Sequence, residues 1–318
     1  RQSMHHLETH EYEYVLILSG DQLYQMDFRE LIEQHKQNAA DLTIATIPVH
    51  ADDATGFGIL KRDADGEISD FIEKPAHDKL SAWKSPVSEE LQAQGKPYLA
   101  SMGIYVFNKA LLHSLMSENP EAVDFGKELI PKALNSPAKV FSYDYTGYWT
   151  DIGTIRSFYE ANLELTHTVP RFNLYDNENM IYTRARLLPA SKLSGTTLDR
   201  VLVSEGCIIE ASRIGHSVIG IRSRIGKGTT IEDCILMGND YFPDEEELSQ
   251  HHPDRPILGI GQRCFVSNAI IDKNVRIGDD VRIVGGTHLK DGKYDRYYVV
   301  DGVVILPKGV TIPDGTTI

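Results

Sequence analysis

The spacing of apolar positions changes near the middle of the chain. In residues 1–165, β-branched and aromatic runs such as EYVLILS and YLASMGIYVF alternate with stretches such as RELIEQHKQNAA, whose apolar residues recur every three or four positions. The first pattern is typical of strands and the second of amphipathic helices. Their alternation predicts a layered α/β domain with a mostly parallel sheet, in which ligands bind outside the carboxyl ends of the strands.

The second half of the chain repeats an apolar residue every six positions. This period is a signature of parallel β-helices, because each turn buries its inward residue against the next turn. We therefore expect a β-helix over residues 196–318, joined to the first domain by a linker at 166–195 and interrupted by an exposed acidic excursion at 239–256. Four runs share the period: Leu202, Ile208 and Ile214; Ile219, Ile225 and Ile231; Phe265, Ile271, Ile277 and Ile283; Leu306, Ile312 and Ile318.

Composition narrows the class of protein. The chain has 318 residues, a formal net charge of -14 and three widely spaced cysteines. The negative charge argues against general binding to nucleic acid or to anionic membranes, and no apolar run is long enough to span a bilayer. The cysteine usage suits a reduced compartment, so we expect a cytoplasmic protein. The chain begins with Arg1 instead of an initiator Met, which suggests that it is part of a longer protein.

Two aspartates stand where a predicted strand meets the following segment. Asp21 follows LILSG, and Asp151 lies in YWTDIGT, before a predicted helix. Carboxylates from two separate strand ends are suitable ligands for Mg²⁺, which takes hard oxygen ligands and is commonly shared with substrate phosphates. The alternative is that each aspartate caps the turn or helix that follows it.

The segment DFIEKP places Glu73 and Lys74 next to each other before Pro75. A lysine there is able to hold a phosphate, and a glutamate is able to accept hydrogen bonds from sugar hydroxyls. Adjacent residues of a regular strand point to opposite faces, so both face one ligand only if the chain bends. The alternative is an edge strand blunted by charge and proline. Upstream, Gly58 in TGFGIL would allow a ligand to approach the backbone closely.

Several longer segments together resemble one family. LSGDQLYQMDF, FGILKRDADGEISDFIEKP, DFGKELIPK, YWTDIGTIRSFYEANLELT and AIIDKNVRIGDDV follow one another as in glucose-1-phosphate adenylyltransferases, also called ADP-glucose pyrophosphorylases, and are most similar to the plant and cyanobacterial branch. The resemblance implies an α/β nucleotidyltransferase domain followed by a left-handed parallel β-helix. It also implies the conversion of ATP and α-glucose 1-phosphate to ADP-glucose and pyrophosphate for glycogen or starch synthesis, and assembly into homo- or hetero-tetramers.

The resemblance also assigns roles to individual residues. It implies that Asp21 and Asp151 hold Mg²⁺, that Lys74 contacts the sugar phosphate and Glu73 the sugar hydroxyls, and that Lys273 binds an activator such as 3-phosphoglycerate. Asp21, Asp151 and Lys74 are thus the expected catalytic residues. Further contacts to glucose 1-phosphate are implied for Gly58, Ser101, Asp124, Phe125 and Trp149.

This sequence departs from the family pattern in two places. The Gly-rich loop GGGxGTRLxPLT does not occur in the 318 residues, so we expect this polypeptide alone to have little transferase activity. A second activator-binding lysine is replaced by Val300, followed by Asp301, so we expect a weak or altered response to 3-phosphoglycerate.

Three other functions stay open at this stage. The chain is alternatively a non-catalytic regulatory subunit of the same family, or a related transferase that uses GTP and mannose 1-phosphate. A third alternative is an acyltransferase, since β-helices of this period often carry that activity. His216 in RIGHS is its candidate base, although we expect this side chain to point outward into solvent. The resemblance is compatible with a cytoplasmic or a plastid location.

Overall fold

The computed structural model describes residues 4–249 and 256–318. The chain divides into two compact units, one ending at Trp149 and the other beginning at Thr150. The sequence placed helix Ile155–Glu164 in the first domain, but its contacts group it with the second unit, because its buried Tyr159 shares a core cluster with Ile235. No helix in the described ranges has the length and apolar character needed to cross a membrane.

The first unit consists mainly of short helices around one mixed sheet of six strands. A 3₁₀ segment spans His77–Trp83 and a π-helical turn spans Phe125–Leu129. The helices are α1 (Met4–Leu7), α2 (Phe28–Gln37), α3 (Ala51–Ala54), α4 (Glu89–Ala93), α5 (Lys109–Glu118) and α6 (Ile130–Leu134). The strands are β1 (Tyr14–Leu18), β2 (Gln22–Tyr24), β3 (Leu42–Val49), β4 (Gly58–Arg62), β5 (Ile68–Glu73), β6 (Tyr98–Asn108) and β7 (Val140–Asp144), while β8 (Trp149–Asp151) continues into the second unit.

Strand β6 lies at the centre of the sheet and explains its layers. The strand order is β5-β4-β6-β3-β7, and β1 also pairs with β6. Alternate side chains of β6 face opposite sides, because successive residues of a strand do so. Phe107 joins a core with Leu112 of α5 and Ile130 of α6, whereas Val106 joins a separate core with Leu31 of α2. Helices therefore cover both faces of the sheet.

The prediction of a mostly parallel sheet is wrong for this unit. Among the described strands of this sheet, only β3 and β7 pair in parallel, whereas β6 runs antiparallel to β1, β3 and β4, and β4 and β5 form an antiparallel hairpin. The alternation of strand and helix patterns identifies a layered α/β domain but does not encode strand direction. Because β5 turns back on β4 and a long segment follows it, β6 enters the sheet from the end opposite to the one at which β3 begins.

The second unit is built mainly from short parallel strands that stack coil on coil. Helix α7 (Ile155–Glu164) precedes the coils, and α8 (Glu245–Ser249) lies in the interruption at 239–256. The strands are β9 (Lys192–Leu193), β10 (Thr197–Val203), β11 (Ile208–Ile209), β12 (Arg213–Ile219), β13 (Arg224–Ile225), β14 (Thr230–Leu236), β15 (Gly259–Ile260), β16 (Phe265–Ile271), β17 (Arg276–Ile277), β18 (Arg282–Val284), β19 (Gly292–Lys293), β20 (Tyr298–Val300), β21 (Val303–Leu306) and β22 (Thr311–Ile312).

The period of six places most of the expected residues in buried columns. Ile214, Ile231 and Val266 stack in register, and each is fully buried. A second column runs through Ile219, and a third runs through Ile225. Such columns bury each coil against the next, which is what holds a repeat architecture together.

Three members of the predicted runs are displaced by one residue from the columns. Val203 pairs with Ile219, Ile209 with Ile225 and Val266 with Ile231. The predicted members of these columns are Leu202, Ile208 and Phe265. Each displaced residue has an apolar neighbour, so the period alone does not decide which of the two faces inward. In the excursion, Tyr241 and Phe242 are exposed, while residues 250–255 lie outside the described residues.

Candidate functional site

The Glu73 carboxylate lies against two glycines at the end of the β4–β5 hairpin. Gly58 pairs directly with Glu73 across the hairpin. A β-carbon added at Gly58 would lie 2.8 Å from Glu73 Oε2, and one added at Gly126 would lie 2.7 Å from the same oxygen. A side chain at Gly126 would therefore displace the carboxylate, and one at Gly58 would collide with the Phe71 ring as well as with the carboxylate. The Glu73 carboxylate fits here because neither Gly58 nor Gly126 has a side chain.

The π-helical turn after Asp124 brings further predicted residues to Glu73. The Asp124 carboxylate accepts a hydrogen bond from the backbone N–H of Lys127 at 2.8 Å and so caps this turn. Phe125 stacks on Tyr105, with ring centroids 6.0 Å apart. The Tyr105 hydroxyl in turn lies 3.5 Å from Ser101 Oγ. Asp124, Phe125 and Ser101 thus share one neighbourhood.

This neighbourhood combines carboxylates with lysine side chains, which suits a polyhydroxylated ligand that carries a phosphate. Burial raises the pKa of Glu73, the Asp124 carboxylate raises it further, and Lys74 and Lys127 lower it. Burial also raises the pKa of Tyr105, with a smaller lowering by the hydrogen bond to Ser101. Two carboxylates provide acceptors for hydroxyl groups, and the lysine ammonium groups provide positive charge for a phosphate.

Lys74 leaves the strand rather than continuing it. Its backbone is left-handed, with φ at 48°, and its N–H donates to the Phe57 carbonyl at 3.0 Å. Because a residue in this conformation is not extended, the rule that strand neighbours face opposite sides does not separate Lys74 from Glu73. The bend that the sequence required before Pro75 is present.

Trp149 contacts Gln22, the chain neighbour of Asp21, and Phe57, the chain neighbour of Gly58. The Trp149 indole N–H donates to Gln22 Oε1 at 3.2 Å, and its ring meets the Phe57 ring edge-on at 5.1 Å. Gln22 follows Asp21 in the chain. The Asp21 carboxylate accepts a hydrogen bond from Ser19 Oγ at 2.5 Å. Asp21 does not cap helix α2, whose N-cap is Asp27.

Asp151 has a local structural partner. Its carboxylate accepts a hydrogen bond from the backbone N–H of Gly153 at 2.7 Å, in the turn that precedes the α7 N-cap Thr154. This hydrogen bond is the one expected if Asp151 stabilises the turn before the helix, which was the alternative to a metal-binding role. Asp21 belongs to the first unit and Asp151 to the second.

The donor chemistry of the two aspartates suits Mg²⁺. In the described part of the chain, no three His, Cys, Asp or Glu side chains gather as a ready-made metal site. Mg²⁺ needs no such cluster when one or two carboxylates and substrate phosphates hold it. At Asp21 and at Asp151 the hydrogen bond engages Oδ1, and no described residue bonds to Oδ2, which provides a hard oxygen donor.

Lys273 lies in a compact ionic cluster of the second unit. Its ammonium group lies 2.8 Å from Asp240 Oδ1, and that of Lys308 lies 3.1 Å from Asp240 Oδ2. The two lysines, together with a hydrogen bond from Asn274, hold the pKa of Asp240 far below its ordinary value. Sequence reasoning did not identify Lys308 or Asp240. The two residues are separated by 68 positions, so the sequence does not show that they are close in space. The signal for Lys308 would have been a cation next to Gly309.

The expectation that His216 points into solvent is wrong. Its side chain is only 19% exposed, and its Nδ1 lies 2.5 Å from Asp233 Oδ1. The ring stacks on His167, and Nε2 is buried with no hydrogen-bond partner among the described residues. An acyl acceptor needs access to a ring nitrogen, so this geometry argues against the acyltransferase alternative.

Comparison with known protein families gives two matches. A family described as nucleotidyl transferase matches residues 2–168, which is more than half of the chain. A domain described as the GLGC left-handed parallel beta-helix matches residues 186–317. The order and extent of the matches agree with a nucleotidyltransferase domain followed by a left-handed β-helix.

Proposed function

Because this chain belongs to the nucleotidyl transferase family and carries a GLGC-type left-handed β-helix, we propose that it is a glucose-1-phosphate adenylyltransferase. The two matches together fit the ADP-glucose pyrophosphorylase family and point to a sugar-1-phosphate nucleotidyltransferase of the GLGC type. The finer proposal adds the substrates, ATP and α-glucose 1-phosphate, and the product ADP-glucose.

The position of the Glu73 carboxylate carries this proposal. It is half-buried between Gly58 and Gly126, near the Asp124 carboxylate and the Lys74 ammonium group. In our proposal, Glu73 and Asp124 accept hydrogen bonds from sugar hydroxyls while Lys74 binds the sugar phosphate. Phe125 and Trp149 line the sugar pocket, to which Ser101 and Gly58 also contribute.

The proposed reaction is an in-line attack by the sugar phosphate oxygen on the α-phosphorus of ATP, with pyrophosphate leaving. Such reactions depend on positioning and charge neutralisation more than on covalent chemistry by the protein. Lys74 contributes by orienting the attacking phosphate. Asp21 and Asp151 would supply carboxylate oxygens to Mg²⁺, which when bound neutralises phosphate charge.

Binding of α-glucose 1-phosphate tests this proposal directly on the 318-residue chain. We expect saturable binding by titration calorimetry, weakened roughly tenfold to hundredfold by Glu73→Ala, because charge-assisted hydrogen bonds to the sugar are lost. Mannose 1-phosphate serves as the matched ligand for the alternative substrate and should bind more weakly. Equal binding by the wild type and Glu73→Ala would contradict the assignment of the sugar site.

We further propose that Lys273 binds a phosphorylated effector and that Lys308 assists it. Asp240 bridges both ammonium groups, so an incoming anion has to displace this carboxylate. We expect Asp240→Asn to bind 3-phosphoglycerate more tightly than the wild type does. Asp295→Asn is the charge-matched control, because Asp295 is almost fully exposed and contacts only Arg296 among the described residues. If both variants bind 3-phosphoglycerate more tightly, the gain comes from the change in net charge and not from freeing the two lysines.

A further inference from the structure

A cavity in the first unit lies outside the candidate site. Its volume is about 380 Å³, and it is enclosed by the ends of strands β3, β4 and β7 and by the segment around helix α4. None of the residues that line it belongs to the proposed sugar, metal or effector sites. Pockets of a few hundred Å³ with an apolar lining and a few polar groups are where proteins bind small molecules.

The cavity is apolar over much of its lining. Leu99 is fully buried, and Ile47, Pro48 and Val87 are partly buried around it. Leu91 of α4 also lines the cavity. These aliphatic surfaces favour a hydrophobic body over a sugar or a nucleotide phosphate.

Arg62 and Asp144 add a neutral polar pair to the cavity. The guanidinium group contacts both carboxylate oxygens, at 2.6 and 2.9 Å, and also donates to Ser142 Oγ at 2.8 Å. The Arg62 side chain is 15% exposed. Its charge is therefore already matched and its donors are mostly used, so Arg62 is not the group that attracts an anion.

Lys96 is the cation of the cavity that has no matching charge. Its backbone N–H donates to the Leu91 carbonyl, which places the residue directly after α4. In residues 4–249 and 256–318, its ammonium group makes no hydrogen bond or ion pair that the structure records, although the residue is partly buried. A cation beside an apolar surface favours a ligand with one negative charge and an apolar body.

We infer that this cavity binds a small amphipathic carboxylate, with the carboxylate at Lys96 and the apolar body against Leu91, Val87 and Leu99. This function is additional to the proposed transferase activity and does not depend on it. Ser88 and Thr146 also line the cavity, and each carries a hydroxyl group.

Titration calorimetry with 4-phenylbutyrate and its uncharged amide tests the inference on the whole chain. We expect the acid to bind saturably and about tenfold more tightly than the amide, because only the acid pairs with Lys96. Lys96→Met should reduce the acid to the affinity of the amide. Lys79→Met is the matched control, because Lys79 is exposed and does not line the cavity, and it should keep the preference.

Filling the cavity provides the second arm of the test. Leu91→Trp should abolish binding of both compounds while leaving α-glucose 1-phosphate binding unchanged, and Val87→Phe serves the same purpose if Leu91→Trp does not fold. The inference is overturned if the wild type shows no saturable binding of the acid, if Lys96→Met keeps the preference for the acid, or if a filled cavity binds as well as an empty one.

Discussion

At the scale of single residues, Gly126 is a position of the candidate sugar site where an added side chain would meet the Glu73 carboxylate first. A β-carbon there would lie 2.7 Å from Glu73 Oε2 and 3.3 Å from Glu73 Cδ. We expect Gly126→Ala to push the carboxylate away, to weaken α-glucose 1-phosphate binding roughly tenfold, and to cost about 1–3 kcal/mol of stability. Titration calorimetry and urea denaturation measure the two effects.

The control for this substitution is Gly292→Ala, which adds the same methyl group where the nearest heavy atom would be Tyr294 Cε2, at 3.9 Å. That contact is ordinary, so binding and stability should stay close to the wild type. If Gly126→Ala binds glucose 1-phosphate normally, the Glu73 carboxylate is not a sugar ligand in this position.

Glu73 also makes stability depend on pH. Burial raises its pKa above the ordinary value of 4.5. Above that pH the unfolded chain has released a proton that the folded protein still holds, so the free energy of unfolding falls as pH rises through the window between the two pKa values. Glu73→Gln removes this loss.

We therefore expect Glu73→Gln to become more stable relative to the wild type as pH rises from about 4 to about 7. Urea denaturation of both proteins across this range measures the difference. Asp295→Asn, at an exposed carboxylate of the second unit, corrects for the general effect of removing one charge. A stability difference that does not change with pH would contradict the raised pKa.

The site residues differ in how far the sequence alone predicts them. Asp124 and Phe125 were identified by resemblance, but the adjacent Gly126 was not, because its role depends on a carboxylate 53 positions earlier in the chain. Lys74 was recognised as a candidate with an unresolved orientation. Only its left-handed backbone, which no spacing pattern encodes, removes the conflict with Glu73.

At the scale of elements, the six-residue period predicted the structure more completely than the alternation of strand and helix patterns did. The period of six predicted the coils of the β-helix, since each inward residue has the same environment in the next turn. It did not choose between Ile208 and Ile209, because both are apolar. In the first unit the alternating pattern predicted the layers but not the antiparallel course of β6, which depends on contacts between distant segments.

Helix α7 is fastened to the β-helix coils by a specific hydrogen bond. Asp233 has a left-handed backbone, with φ at 51°, and is skipped in the pairing of β12 with β14. The Tyr159 hydroxyl donates to its carbonyl oxygen at 2.6 Å. Tyr159 is 6% exposed, and burial raises the pKa of its hydroxyl well above the ordinary value.

We expect Tyr159→Phe to cost about 1–3 kcal/mol, because it leaves the Asp233 carbonyl without its donor. Faster hydrogen exchange at the amides of α7 would show where the loss occurs. Tyr182→Phe removes a hydroxyl from a side chain that is 89% exposed and should change neither measurement. Equal effects of the two substitutions would mean that the Tyr159 hydrogen bond does not hold α7.

At the scale of the whole molecule, the two units have separate hydrophobic cores. Ile231 belongs to the core of the β-helix coils, and Ile44 belongs to a core of the mixed sheet, and both are fully buried. A protein with two cores need not unfold in one transition. The contacts within each unit therefore predict that damage to one core is felt mainly in that unit.

Ile231→Ala tests this separation, because it opens a cavity between Ile214 and Val266 and should cost the second unit about 2–5 kcal/mol. We expect amides of the β-helix coils to lose hydrogen-exchange protection, while amides of β3 and β6 keep it and α-glucose 1-phosphate still binds. Ile44→Ala should instead lower the protection of amides in β3 and β6, leave the amides of the β-helix coils protected, and abolish sugar phosphate binding. If both substitutions instead lower protection equally in both units, the chain unfolds as one cooperative body, and the stability of the sugar site depends on the β-helix as well.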